Sequence, residues 1–182
     1  MTLAYASELT LEQYELFENL ITPESNGGRP RTVNLMLVLQ AILYVLASGC
    51  AWRLLPKEYP PYSTVYYYFR KWRDDGSWKR IHDHLVQWVR IDANRDSTPT
   101  AASLDSQTVP SAVMVHQAVG YDGGKKIKGR KRFTLVDTLG LLIAVQVVAA
   151  SVGEREGAKQ LLTTLDQERH RVPQLVRIWV DG

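Results

Sequence analysis

Ala101-Ala-Ser-Leu-Asp-Ser-Gln-Thr-Val109 sets a single acid at the centre of a nine-residue run. It reads as a short buried strand with Asp105 at its centre. An ionised carboxylate taken out of water must be paired, bind a metal or neutralise, so an acid there raises a functional question. A strand-end Asp bonded to turn amides is the competing structural account. The far end of the chain bears on the choice, because Leu175–Val180 (Leu-Val-Arg-Ile-Trp-Val) is a second apolar run that delivers Asp181 at its carboxyl end. Sites in open α/β sheets form outside the carboxyl ends of strands, and two acids on neighbouring strands can share a divalent cation. Asp105 and Asp181 are therefore the candidate catalytic and metal-binding residues.

Between these two runs lies a strand, strand, strand, helix, strand order. The Asp105 strand is followed by a loop through His116 to Gly124, then by Arg132–Asp137 as a second strand. After the Thr138-Leu-Gly140 turn, Leu141–Ala150 is a third strand rich in β-branched residues. Glu154–Asp166 reads as a helix burying Ala158, Leu161, Leu162 and Leu165, before Pro173 and the Asp181 strand. Three antiparallel strands and a right-handed crossover to a parallel one begin a ribonuclease-H-like fold.

Upstream the texture is helical. Thr10-Leu-Glu-Gln13 has capping-box form and opens a helix to about Ile21. Ser25-Asn-Gly-Gly-Arg-Pro30 breaks the pattern and leaves Arg29 and Arg31 on a loop. A second helix over Val33–Ser48 stops at Gly49, and Trp52–Pro56 is a packed turn. Ser63 or Thr64 can cap a third helix, Val65–Arg73, with Val65, Phe69 and Trp72 on one face and Tyr66, Tyr67, Arg70, Lys71 and Arg73 on the other. Asp74-Asp-Gly76 turns the chain into a fourth helix striped by Trp78, Ile81, Leu85, Trp88 and Val89. These are short-turn helix pairs of helix-turn-helix type. A basic aromatic face can present cations to phosphates, though solvated helix faces look alike, so Arg70, Lys71 and Arg73 are candidate DNA contacts. The polar stretch Asp92–Thr100 separates a helical domain, 1–95, from the incomplete ribonuclease-H-like part, 96–182.

Composition adds boundaries. The 182 residues carry a net charge of +3, which permits a polyanionic partner without demanding one. Six of the eight residues in Lys125–Arg132 are basic, so Lys125, Lys126, Lys128, Arg130, Lys131 and Arg132 form a basic hairpin arm suited to DNA phosphates, with a solvated charge run as the plain alternative. Asp122, Asp137, Glu154 and Glu156 read as turn or helix-start acids. The single cysteine, Cys50, excludes an intramolecular disulfide and a cysteine-rich zinc site. Val33–Ala47 is the most membrane-like run, but it is too short to span and reads as a core helix.

The runs Gly49-Cys-Ala-Trp-Arg-Leu-Leu-Pro56, Tyr62-Ser-Thr-Val-Tyr-Tyr-Tyr-Phe-Arg-Lys-Trp72 and Asp75-Gly-Ser-Trp78 resemble the N-terminal region of insertion-sequence family five (IS4/IS5-like) DDE transposases. Leu104-Asp-Ser-Gln-Thr108, Gly120–Lys131 and Leu135–Leu142 resemble the first catalytic segment of the same family. The resemblance implies a bacterial DNA transposase with two Asp and one Glu on a ribonuclease-H-like fold, Asp105 matching the first acid and Asp181 the second. The family's Glu follows well after the second Asp, so the resemblance leads one to expect a chain cut short by a frameshift, a split frame or a lesion, and inactive alone. In the complete site two Mg²⁺ (or Mn²⁺) ions, roughly 3.5–4 Å apart, flank the scissile phosphate, with Asp105 bridging them. Implied partners are double-stranded DNA of transposon ends and target, and a second copy or a downstream-frame C-terminal part, in the bacterial cytoplasm at the nucleoid and away from membranes. A DNA-binding remnant that regulates the intact enzyme is the alternative function, and a stand-alone nuclease needs the same missing acid.

Overall fold

The computed structural model describes residues 5–21, 32–112 and 117–180, so Arg29, Arg31, His116 and Asp181 lie outside the described residues. By its contacts the chain divides into two units, Met1–Leu85 and Val86–Gly182.

The first unit is helical. Thr10 caps α1 (Leu11–Glu15) through the expected reciprocal box, its hydroxyl accepting from Gln13 N and Gln13 Oε1 accepting from Thr10 N. The helix does not run on to Ile21. It gives way at Leu16–Phe17 to a 3₁₀ turn over Glu18–Leu20, and this places Tyr14, Phe17 and Ile21 together in the core. Asn34 begins α2 (Leu35–Ser48) by accepting from Leu37 N, and Gly49 ends it in the left-handed conformation at φ 68°, where a Cβ is strained. Gln40 is buried, and its amide donates to Leu9 O at 2.9 Å. The third helix, α3 (Tyr62–Asp74), starts three residues earlier than the Ser63/Thr64 cap suggests, directly after the Pro60-Pro61 pair, which holds the residue before each proline extended. Val65 and Trp72 are fully buried as the stripe predicts. At the turn into α4 (Ser77–Asp92) the Asp75 carboxylate accepts from both Ser77 N and Ser77 Oγ, so Asp75 rather than Ser77 closes the helix start.

The stripe of α4 holds only in its first half. Ile81 is buried with Trp78 and Leu85 packed alongside, whereas Trp88 and Val89 are exposed. Arg90 is buried instead. Its guanidinium forms an ion pair with Asp137 and donates through Nε to Asp96 O, all within the second unit.

The second unit is a mixed sheet with one helix. Its strands are β1 (Ala101–Pro110), β2 (Gly120–Asp122), β3 (Ile127–Asp137), β4 (Leu142–Ala149) and β5 (Arg177–Val180). β3 is antiparallel to β1, β2 and β4, and β5 is parallel to β1. The strand, strand, strand, helix, strand order holds for the long elements, with the short β2 added in the expected loop. β3 begins at Ile127 rather than Arg132, because the end of β1 and β2 both pair with its first residues: Pro110 and Gly120 each face Gly129. The basic run is therefore mostly strand, not a free arm.

α5 (Glu154–Gln167) covers one sheet face. Gly157, Leu161 and Leu165 are buried, joining Ala102, Leu104, Phe133, Leu135, Ile143 and Val148 around the core. A glycine is required at 157 by closeness of approach: a Cβ there would lie 2.1 Å from Phe133 Cε2.

Candidate active site

Asp105 sits where β1 alternates. Ala102, Leu104 and Thr108 turn inward, while Ser103, Asp105 and Gln107 are exposed. The expectation of a carboxylate buried in an apolar strand is thus corrected: the strand is buried on one face only, period two puts Asp105 on the other, and the ionised form keeps its solvent.

Its surroundings carry the functional interest. Asp105, Leu104, Ser106, Phe133 and Val180 share a cleft of about 650 Å³ with Glu154, Arg155, Ala158, Lys159 and Leu162 of α5. Ser106 Oγ donates to Glu154 Oε1 at 3.3 Å and ties the first turn of α5 to the residue after Asp105. The parallel ladder runs from Ala101 opposite Arg177 to Leu104 opposite Val180, the last described residue before Asp181. Among the described residues no group of three or more His, Cys, Asp or Glu is assembled as a metal site. Asp105 offers a hard cation carboxylate oxygen, which is the right donor chemistry, while Glu154 on the α5 side is bonded to Ser106.

The basic residues divide by environment. Lys125, Lys126 and Lys128 are exposed at the β2–β3 turn and the start of β3. Arg130 holds Gln117 O through Nε and Nη2, and Arg132 Nη2 donates to Gln107 Oε1 at 2.7 Å, so both reach solvent with part of their donor capacity spent. Lys131 departs from the expected role of a phosphate contact. It is 5% exposed, donates to Val152 O at 3.1 Å and lies 3.4 Å from Asp122 Oδ2. Strand alternation turns it inward, opposite Val148, with its ammonium engaged within the fold.

Asp122 is a turn acid, as expected, but with a wider reach. Oδ1 accepts from Gly124 N and Lys125 N, and Oδ2 from Thr108 Oγ1. The backbone bond from Lys125, then the Thr108 hydroxyl and Lys131, hold its carboxyl down to about 2 from an ordinary 3.8. Asp137 likewise accepts from Leu139 N and Leu141 N, and it also pairs with Arg90, a buried contact 47 positions away that local pattern did not reveal.

In the first unit, Tyr66, Tyr67 and Arg70 are exposed on α3, and with Ser63, Lys71, Asp74 and Asp75 they line a shallow groove. Arg73 is paired with its neighbour Asp74 at 2.9 Å.

Two family models match the chain. One, described as "Putative transposase of IS4/5 family", covers residues 9–82, and the other, "Transposase DDE domain", covers residues 91–182. The insertion element IS402 uncharacterized 16.2 kDa protein of Burkholderia cepacia is 34% identical over 116 residues, 60% of this chain and 76% of that relative. No solved structure matches. Among the described residues no helix is long and apolar enough to cross a membrane. A helical region followed by a mixed sheet that carries Asp105 in a cleft, matched over half the chain by a DDE domain, places this protein in the IS4/IS5 family of DDE transposases.

Proposed function

We propose that the chain is the transposase subunit of an insertion sequence, binding element-end duplex DNA and supplying Asp105 and Asp181 to metal-dependent cleavage and strand transfer. The observation that supports this most is the β1–β5 register, in which Leu104, the residue before Asp105, lies opposite Val180 at the carboxyl end of the parallel strand β5. In this reading Asp105 and Asp181 hold Mg²⁺ or Mn²⁺, and the bound ion supplies Lewis-acid polarisation of the phosphodiester and an activated nucleophile. The protein orients those carboxylates on a rigid sheet. α3 and α4, joined through Asp75 and Gly76, act as a helix-turn-helix pair, with Arg70 and Lys71 on phosphates. Lys125, Lys126, Lys128, Arg130 and Arg132 of the β2–β3 hairpin hold DNA without reading its sequence, as do Arg29 and Arg31. The helical domain then comprises 1–95 and the catalytic part 96–182.

Two measurements on the purified chain test the proposal. Gel shifts with an element-end duplex should show affinity that falls steeply with salt. Titration with Mn²⁺ should show saturable binding that Asp105→Asn weakens at least tenfold while duplex binding persists. Absence of duplex binding at low salt, or Mn²⁺ binding indifferent to Asp105→Asn, would reject it.

A further inference from the structure

The sheet face that Asp105 occupies carries a row of cations. α5 buries Leu161 and Leu165 in one cluster with Leu104, Phe133 and Leu135, so strand alternation sends Asp105, Arg132 and Thr134 to the other side. The β1–β3 register sets Asp105 opposite Thr134, Gln107 opposite Arg132 and Val109 opposite Arg130. Lys128, Arg130 and Arg132 therefore stand at every second position of β3 on the Asp105 face, and the row ends beside the acid. Lys128 and Arg132 are exposed, as is Tyr121, the β2 partner of Lys128.

Distance sets Arg132 apart within the row. It is the diagonal neighbour of Asp105 across the strand pair, about 7–8 Å away and within a Debye length of about 8–10 Å. Lys128 is six residues along β3 from Thr134, about 20 Å at roughly 3.4 Å per residue. A carboxylate repels an incoming phosphodiester, and Arg132 is the cation of this row nearest to offset that repulsion. Arg132 Nη2 donates to Gln107 Oε1 at 2.7 Å, which carries the guanidinium over β1, two residues from Asp105. That bond uses one of the five N–H donors of the fork. Apolar side chains open to solvent border the row: Val145 opposite Thr134 and Val147 opposite Arg132 are each 50% exposed, and Val109 opposite Arg130 is 41% exposed. A solvated charge run needs no such border, whereas a nucleic-acid strand sets phosphates on the cations and its sugar and base edges on the valines.

We infer that the DNA strand carrying the scissile phosphodiester lies along β3 on this face, with its phosphates on Lys128 and Arg132 and with Arg132 holding the phosphate next to the one presented to Asp105. This rests on the DNA-binding reading above and goes beyond it, giving the reacting strand a path and Arg132 the place of its phosphate ligand nearest the acid. Lys125 and Lys126 lie past the far end of the row, at the β2–β3 turn, and hold DNA remote from Asp105. Arg130 spends Nε and Nη2 on Gln117 O and adds charge to the middle of the path.

The test uses the full chain and an element-end duplex, with affinity read by fluorescence anisotropy across a salt series. Lys128→Ala/Arg132→Ala should weaken binding at least fivefold and lower the salt slope by about 1.8, at about 0.9 per phosphate contact. Arg132→Lys should keep the slope, and circular dichroism of both variants should match the unaltered chain. A photo-crosslinking side chain at position 147 should capture the duplex, and one at the exposed position 160 of α5 should not. Unchanged affinity and slope, with no crosslink from 147, overturns the inference. Capture from 160 and not from 147 places the strand on the α5 face and likewise overturns it. If the unaltered chain still binds the duplex with salt-dependent affinity in either case, DNA binding stands and only the path falls. An unaltered chain that binds no duplex removes both.

Discussion

Asp122 shows how much one side chain can carry. Its carboxyl is held down to about 2 by the Lys125 amide, the Thr108 hydroxyl and Lys131, so the folded chain keeps it ionised where the unfolded chain takes up a proton. The stability it contributes is complete above the ordinary value of 3.8 and is lost as pH falls through about 2. Asp122→Asn should flatten the stability profile between about pH 4 and 2, as followed by urea unfolding at a series of pH values. An unchanged acid limb would mean that other carboxylates set it. Arg90 and Asp137 are a different case, because both are buried. Arg90→Met leaves the Asp137 carboxylate without its cation and should cost about 3–5 kcal/mol in the second unit, measured by denaturant unfolding.

At the scale of elements, the contact between α5 and β3 is the most sensitive to volume. Gly157→Ala sets a methyl 2.1 Å from the Phe133 ring, which must move within a packed core. The expected loss is about 1–3 kcal/mol, read as a lowered denaturant midpoint, and Phe133→Leu in the same chain should recover part of it. The β2–β3 hairpin yields a prediction of another kind. Lys125→Ala/Lys126→Ala/Lys128→Ala should weaken binding to all duplexes about equally, with a flatter salt dependence, while Lys131→Ala should lower stability because it deletes a buried ion pair. Competition gel shifts with unrelated duplexes check the first outcome, and thermal unfolding checks the second.

At the scale of the whole molecule, the two units have separate cores, one around Trp72, Ile42 and Val65 and the other around Phe133, Leu135 and Leu161. Separate cores predict two calorimetric transitions, of which Arg90→Met lowers only the one belonging to the second unit. What the chain determines by local chemistry is the set of elements: the Thr10 capping box, the Gly49 stop, the Val65/Trp72 stripe and the order of long strands follow from side-chain period and cap geometry within a few residues. The candidate acid at 105 and the basic run at 125–132 were likewise legible, since both are plain in residue type and spacing. Burial was not. Whether Asp105 faces solvent, whether Lys131 is spent on Val152 O and Asp122, and whether Arg90 leaves its stripe for Asp137 all depend on partners 9 to 47 positions away. A strand's alternation shows that two faces differ but not which one a helix will cover, and only the packing of α5 decided it.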